Sequence, residues 1–206
     1  MGAAVLYILA VLSANLTATA FIPFPVFGQV AVGTLIFGLT FTQRDRMHRL
    51  GRPFVYKIIA LSALLNLALI ASYVNLWGSP LTAWFQAQGW AWLAASAGYL
   101  QESGWRVLLA SFLAIVIAET ADTEVYHRVR HLGWLKRVLS SNAVSIPVDS
   151  VVFNLIAFAG VFAWPLWFSI VFGEIVVKFV VGAAYACFRP KESEPASTSA
   201  DPVRST

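Results

Sequence analysis

The residues able to do chemistry in this chain are few and regularly spaced. Glu119, Asp122 and Tyr126 stand at i, i+3 and i+7, and Asn142, Ser145 and Asp149 repeat that interval. On an α-helix each trio shares one face. Glu174 and Lys178, at i and i+4, interrupt an otherwise apolar run. Together these carboxylates, amide, hydroxyls and ammonium could face an inner cavity and form the polar heart of a transport site. Other chemistries lack their parts: the chain has no H-E-x-x-H, no G-x-S-x-G and no phosphate-binding P-loop. A metalloprotease, a serine hydrolase and a self-driven ATPase are therefore disfavoured. No cofactor or metal is expected.

The setting of these residues gives them weight. Of 206 residues, 59% are hydrophobic and 12% charged, with a mean hydropathy of +0.73. A soluble domain carries about a quarter charged residues, so most of this surface faces something other than water. The composition predicts an all-α fold, a polytopic transmembrane helical bundle. Crossing the hydrocarbon core takes roughly 20 mostly apolar residues. Six stretches qualify, at about 3–22, 26–43, 54–77, 105–126, 146–163 and 165–188. Pro23-Phe24-Pro25 separates the first two and Trp164-Pro165 the last two, predicting tight hairpins because proline ends helices. An uncharged start and polar residues within the first stretch argue against a cleaved signal. Residues 1–188 then form one six-span domain. Residues 189–206, rich in Pro, Ser, Thr and charge, are expected to be a disordered tail.

The net charge of +4 is not a nucleic-acid signal. Arg44, Arg46, Arg49, Arg52 and Lys57 cluster after the second stretch, Arg128, Arg130, Lys136 and Arg137 after the fourth, and Arg189, Lys191 and Arg204 after the sixth. In a six-span chain all three groups fall on one side, which the positive-inside rule makes the cytoplasm. Both termini are then cytoplasmic. Residues 78–104 contain no Lys or Arg but several Trp, which favours an interfacial or partly re-entrant segment on the outer face. A seventh span there would spoil the charge agreement.

Ionisable groups at membrane depth tend to face a cavity, a partner or a substrate path. Each also has a plainer explanation. The fourth helix could end near Glu119, leaving Asp122 and Tyr126 in a solvated turn. Ser141, Asn142, Pro147 and Asp149 could cap and begin the fifth helix. Glu174 and Lys178 could neutralise each other along one helix, or Lys178 could reach Asp149, Asp122 or Glu119. Glu124 points away and is expected to meet the basic loop. Asn15 and Asn66 suit interhelical hydrogen bonds, and Gly28, Gly33 and Gly38 close packing. The histidines fall in the basic loops, and Cys187 reads as packing in the last helix.

At the fourth and fifth stretches the pattern becomes specific. Glu119-x-x-Asp122-x-x-x-Tyr126-His-Arg-Val-Arg, then Ser141-Asn142-x-x-Ser145-x-x-x-Asp149-Ser150-x-x-Phe153-x-x-Ile156-Ala157-Phe158, resembles the VUT family of vitamin-uptake-like membrane proteins. That family includes bacterial queuosine precursor transporters. Lys178 within the last helix, and Asp45 followed by Leu50-Gly51-Arg52, add to the likeness, which covers the chain to about residue 188. The resemblance implies import of 7-deazaguanine bases, the cyano and aminomethyl precursors of queuosine, across the cytoplasmic membrane. It implies a substrate site drawn from Asn15, Glu119, Asp122, Tyr126, Asn142, Ser145, Asp149, Phe153 and Lys178. A carboxylate can accept the paired N–H groups of a guanine-like edge, and Tyr126 or Phe153 can stack on the base. The expected partners are the deazaguanine base and the lipid bilayer, with no nucleic acid and a homo-oligomer left open. Two alternatives remain: a substrate-binding subunit energised by a separate ATPase, and a small intramembrane enzyme using acid–base carboxylates.

Overall fold

The computed structural model describes residues 2–26, 28–47 and 50–187; the expected tail lies outside the described residues. Seven helices and one short ribbon follow in order: α1 (Gly2–Leu16), β1 (Phe21–Phe24), β2 (Gly28–Ala31), α2 (Val32–Met47), α3 (Arg52–Ser72), α4 (Gly78–Ala87), α5 (Ala91–Arg128), α6 (Trp134–Phe158) and α7 (Trp164–Cys187). A π-helical turn, Tyr73–Trp77, joins α3 to α4. Among the described residues, four helical stretches are long and apolar enough to cross a membrane: Arg52–Ala87, Ala91–Arg128, Leu135–Phe158 and Trp164–Ala184. Their outer faces carry exposed Leu, Phe and Val, such as Leu64, Leu109, Phe112, Phe168 and Val180. In water such a surface would aggregate; acyl chains cover it. The chain is a multi-pass α-helical membrane protein.

The first hairpin differs from the expectation of two helices meeting at the Pro23-Phe24-Pro25 break. Helix α1 stops at Leu16 and α2 starts at Val32, with an antiparallel ribbon between them that pairs Phe21 with Ala31 and Phe24 with Gly28. The residues of β1, Phe21-Ile22-Pro23-Phe24, are aromatic, β-branched or proline, poor helix formers that suit extended backbone. Gly28 has φ 77°, a left-handed conformation that favours glycine. At 15 and 16 residues, α1 and α2 each fall short of the roughly 20 residues of a full crossing, which either could complete only together with the ribbon.

Two further boundaries move. Helix α5 does not begin near 105 but runs 38 residues from Ala91, about 57 Å at 1.5 Å per residue. Its first turns pair with α4 as a helical hairpin whose tip turns through Gly89, at φ 73°. Trp84 and Trp90 meet there edge to face at 5.4 Å. Below the tip, the Tyr73 hydroxyl donates to the Ala97 carbonyl at 2.9 Å. The Gln101 amide donates to the Val74 carbonyl, one of those the π turn sets out of register. Helix α6 starts at Trp134 rather than near 146 and carries Pro147 in its interior. The capping explanation for Ser141, Asn142 and Pro147 is thereby overturned: Gly133 is the N-cap, and the polar trio sits well inside the helix. At the other end of α6, the Arg106 guanidinium donates to the carbonyls of Ile156 and Ala159, satisfying orphan acceptors of the last turn.

Packing arranges six helices in a ring. Going round it, α1 touches α2, α2 touches α7, and α7, α6, α5 and α3 follow in turn until α3 returns to α1. The α1–α2 contact is close because Gly33 faces α1: a Cβ there would run into the Ala14 carbonyl oxygen. Gly33→Val is accordingly expected to destabilise the protein by about 1–3 kcal/mol, read as a lower melting temperature in detergent. An unchanged melting temperature would mean that α1 and α2 do not pack this way.

Candidate functional site

Two buried clusters of charge lie within this ring. The first lines a cavity bounded by α1, α2, α5, α6 and α7, with Asn15, Thr34, Phe37, Ser111, Asp149, Phe153, Glu174 and Lys178 in its wall. Lys178 donates to Asp149 Oδ2 at 2.9 Å, to Ser150 Oγ at 2.9 Å and to Glu174 Oε2 at 3.2 Å. Both explanations offered for Lys178 therefore hold at once: it pairs within α7 and reaches across to α6. Asn154 donates to Glu174 Oε2 at 2.9 Å and is held by the Trp167 indole N–H, which donates to its carbonyl at 3.0 Å. The Lys178 ammonium also stands 5.4 Å from the centre of the Phe37 ring, within cation–π range. The cavity volume is about 40 Å³, room for a few waters.

The second cluster is built on Arg44, 0% exposed on the inner side of α2. Its Nη1 donates to Glu119 Oε2 at 2.9 Å, and its Nη2 lies 2.8 Å from Asp122 Oδ1 and 3.3 Å from Asn142 Oδ1. Ser145 donates to Asp122 Oδ1 at 3.0 Å and Tyr7 to Glu119 Oε1 at 3.3 Å. One guanidinium thus ties α2 to α5 and α6, with α1 joined through Tyr7. Glu119 lies four residues past Ile115 of the cavity wall, about 6 Å along α5. Arg44 is seven residues beyond Phe37 on α2, and Ser145 four before Asp149 on α6. On all three helices the displacement is toward the end of the bundle that carries Arg52, Arg128 and Arg137.

Of the nine residues expected to form one site, Asn15, Asp149, Phe153 and Lys178 line the cavity. Glu119, Asp122, Asn142 and Ser145 belong to the Arg44 cluster. Tyr126 is further along α5, where its ring takes the Arg137 guanidinium at 5.3 Å. Helix α5 continues to Arg128, so Asp122 and Tyr126 are not in a solvated turn. Glu124 points outward to Arg52 at 3.6 Å, as its position on the other face requires. That pair is half exposed, and surface pairs contribute little. Arg52→Ala is expected to change stability by less than about 1 kcal/mol in thermal unfolding. A larger loss would show that the pair is part of the basic end's architecture.

Comparison with known proteins follows this geometry. The profile of a family described as "Putative vitamin uptake transporter" matches residues 31–188, which spans α2 to α7 and takes in both clusters except for Tyr7 and Asn15 of α1. The chain belongs to the vitamin uptake transporter family. Its family is one of transporters and not of enzymes. A protein of Bacillus subtilis (strain 168) described as a "Probable queuosine precursor transporter" is 33% identical over 81 residues. The match covers 37% of this chain and 35% of that protein, so the chain is compared with about a third of its relative's length. No solved structure matches.

Sequence reasoning missed several members of these clusters, Arg44, Asn154 and Tyr7 among them. Arg44 was counted among the basic residues of a loop, although Gly33, Phe37, Thr40, Arg44 and Met47 recur at three- and four-residue steps and mark one inward stripe. Asn154, four residues after Ser150, continues the polar face of α6. Tyr7 carries the same kind of signal in α1, where Ala4, Tyr7, Val11 and Ala14 form the buried stripe.

Proposed function

We propose that this vitamin uptake transporter family member is a small-molecule carrier of the cytoplasmic membrane that imports 7-deazaguanine bases, the cyano and aminomethyl precursors of queuosine. The observation that carries the reading is the Lys178–Asp149–Glu174 triad, buried yet lining a cavity inside a ring of apolar helices. Such groups are costly in a membrane interior and are kept where something polar passes. A carboxylate of the triad accepts the adjacent N–H groups of the base, and Phe153 offers a face for stacking. The name of the Bacillus subtilis relative supports the substrate class.

In this reading residues 1–188 are one transporter domain of six spans, with the basic end and both termini cytoplasmic, as the distribution of Lys and Arg favours. The Arg44 cluster, between the cavity and that end, serves as the inner gate. Release of substrate to the cytoplasm needs α2 to part from α5 and α6, and this breaks the bonds of Arg44. Glu119, Asp122, Asn142 and Ser145 then act as latch residues rather than contacts to the base.

The test is tRNA modification in a strain unable to make its own precursor. Supplied deazaguanine base should restore queuosine only when the chain is expressed, and Asp149→Ala should remove the effect. Uptake by the purified protein in liposomes would show that no ATPase partner is needed. If expression never restores the modification, the substrate assignment is wrong.

A further inference from the structure

We infer that the cavity selects a cationic ligand, a base bearing a protonated amine in preference to one bearing a neutral nitrile. The inference rests on the reading above that this cavity is the substrate site, and it comes from an inventory of donors and acceptors. Lys178 has three N–H groups and spends one each on Asp149, Ser150 and Glu174. Asn154 has two and spends them on the Ser150 carbonyl and Glu174. The nitrogen donors of the cluster are thus used up.

The acceptors are not. The bonds to each wall carboxylate fall on a single oxygen, Asp149 Oδ2 and Glu174 Oε2. Among the described residues, nothing donates to Asp149 Oδ1 or Glu174 Oε1. Behind them, Asn154 Oδ1 is buried without a donor. Two carboxylates against one ammonium also leave a negative charge uncompensated, among groups no more than 5% exposed. What the wall lacks is a positive charge with hydrogens to give.

An alkylammonium supplies both, since it carries three N–H donors and is charged at neutral pH. A nitrile brings only an acceptor, to a wall that already has acceptors to spare. The hydroxyls of Thr34 and Ser111, also in the wall, can donate to the ring carbonyl, a task for which Lys178 has no hydrogen left. The wall therefore separates two bases of nearly equal shape by the charge of one substituent, using unpaired groups to reject the poorer partner.

Initial uptake of labelled aminomethyl- and cyano-deazaguanine by the full-length protein in liposomes at pH 7 tests this. Charge-assisted hydrogen bonds predict a preference for the amine of about tenfold or more. Glu174→Gln and Asp149→Asn each remove the surplus charge and should reduce that ratio by a similar factor. If either variant misfolds, the wild-type ratio still decides. Equal uptake of the two bases, or faster uptake of the nitrile, overturns this inference while leaving the carrier assignment intact. Uptake of neither overturns both.

Discussion

Lys178→Met is expected to abolish uptake of the deazaguanine base and to destabilise the protein by about 3–5 kcal/mol, the cost of stranding buried charge when one partner of a pair is removed. Asp149 and Glu174, 5% and 2% exposed, would be left facing one another with no cation between them. The two effects can be separated. Adding Asp149→Asn and Glu174→Gln to Lys178→Met removes the stranded charge and should recover much of the melting temperature, because neutral groups are far cheaper to bury than charges. Uptake should not return with it, since no carboxylate of the triad is left to accept the paired N–H groups of the base. A Lys178→Met protein that still transports at the parental rate would exclude the triad from the substrate path.

Arg44→Ala is the second large effect. It removes a fully buried guanidinium from two carboxylates at 2.9 and 2.8 Å and should also cost about 3–5 kcal/mol. Arg44→Lys should recover only part of this, because an ammonium is a point charge and cannot span Glu119, Asp122 and Asn142 as a planar fork does. The gate reading adds a kinetic signature. A weakened latch should raise leakage of base out of preloaded liposomes, even where the variant is stable enough to reconstitute. If Arg44→Ala melts with the parent protein and leaks no faster, Arg44 neither holds nor gates the bundle. Arg44→Ala and Arg52→Ala are a useful contrast: two arginines eight residues apart, one buried among carboxylates and one in a half-exposed pair.

The helical membrane fold and the burial of its polar residues were legible in the sequence, because both are set by local composition and spacing. The i, i+3, i+7 trios brought Glu119 together with Asp122, and Asn142 with Ser145. The apolar context of Glu174 and Lys178 announced that they were buried. What could not be read was which trio meets which helix. Asp149 shares a face with Ser145 yet belongs to a different cluster, because four residues along α6 carry it up to the level of Lys178. Arg44 was hidden by its neighbours: with Arg46 and Arg49 nearby, it has the composition of a loop, and only the stripe through α2 sets it apart. The first ribbon was obscured for a related reason. Residues 21–31 are as apolar as the helices that flank them, and hydropathy does not distinguish an extended segment from a helix.

The order of helices round the ring has a consequence for how the protein is made. Arg44 is synthesised with the second helix, but Glu119 and Asn142 follow 75 and 98 residues later, and the ring closes only when α7 settles between α2 and α6. Until α5 is made, the nascent chain carries this guanidinium without Glu119 and Asp122, the carboxylates that hold it in the fold. The lower end of α2 must wait at the headgroup level, and its final depth is set by helices that leave the ribosome after it.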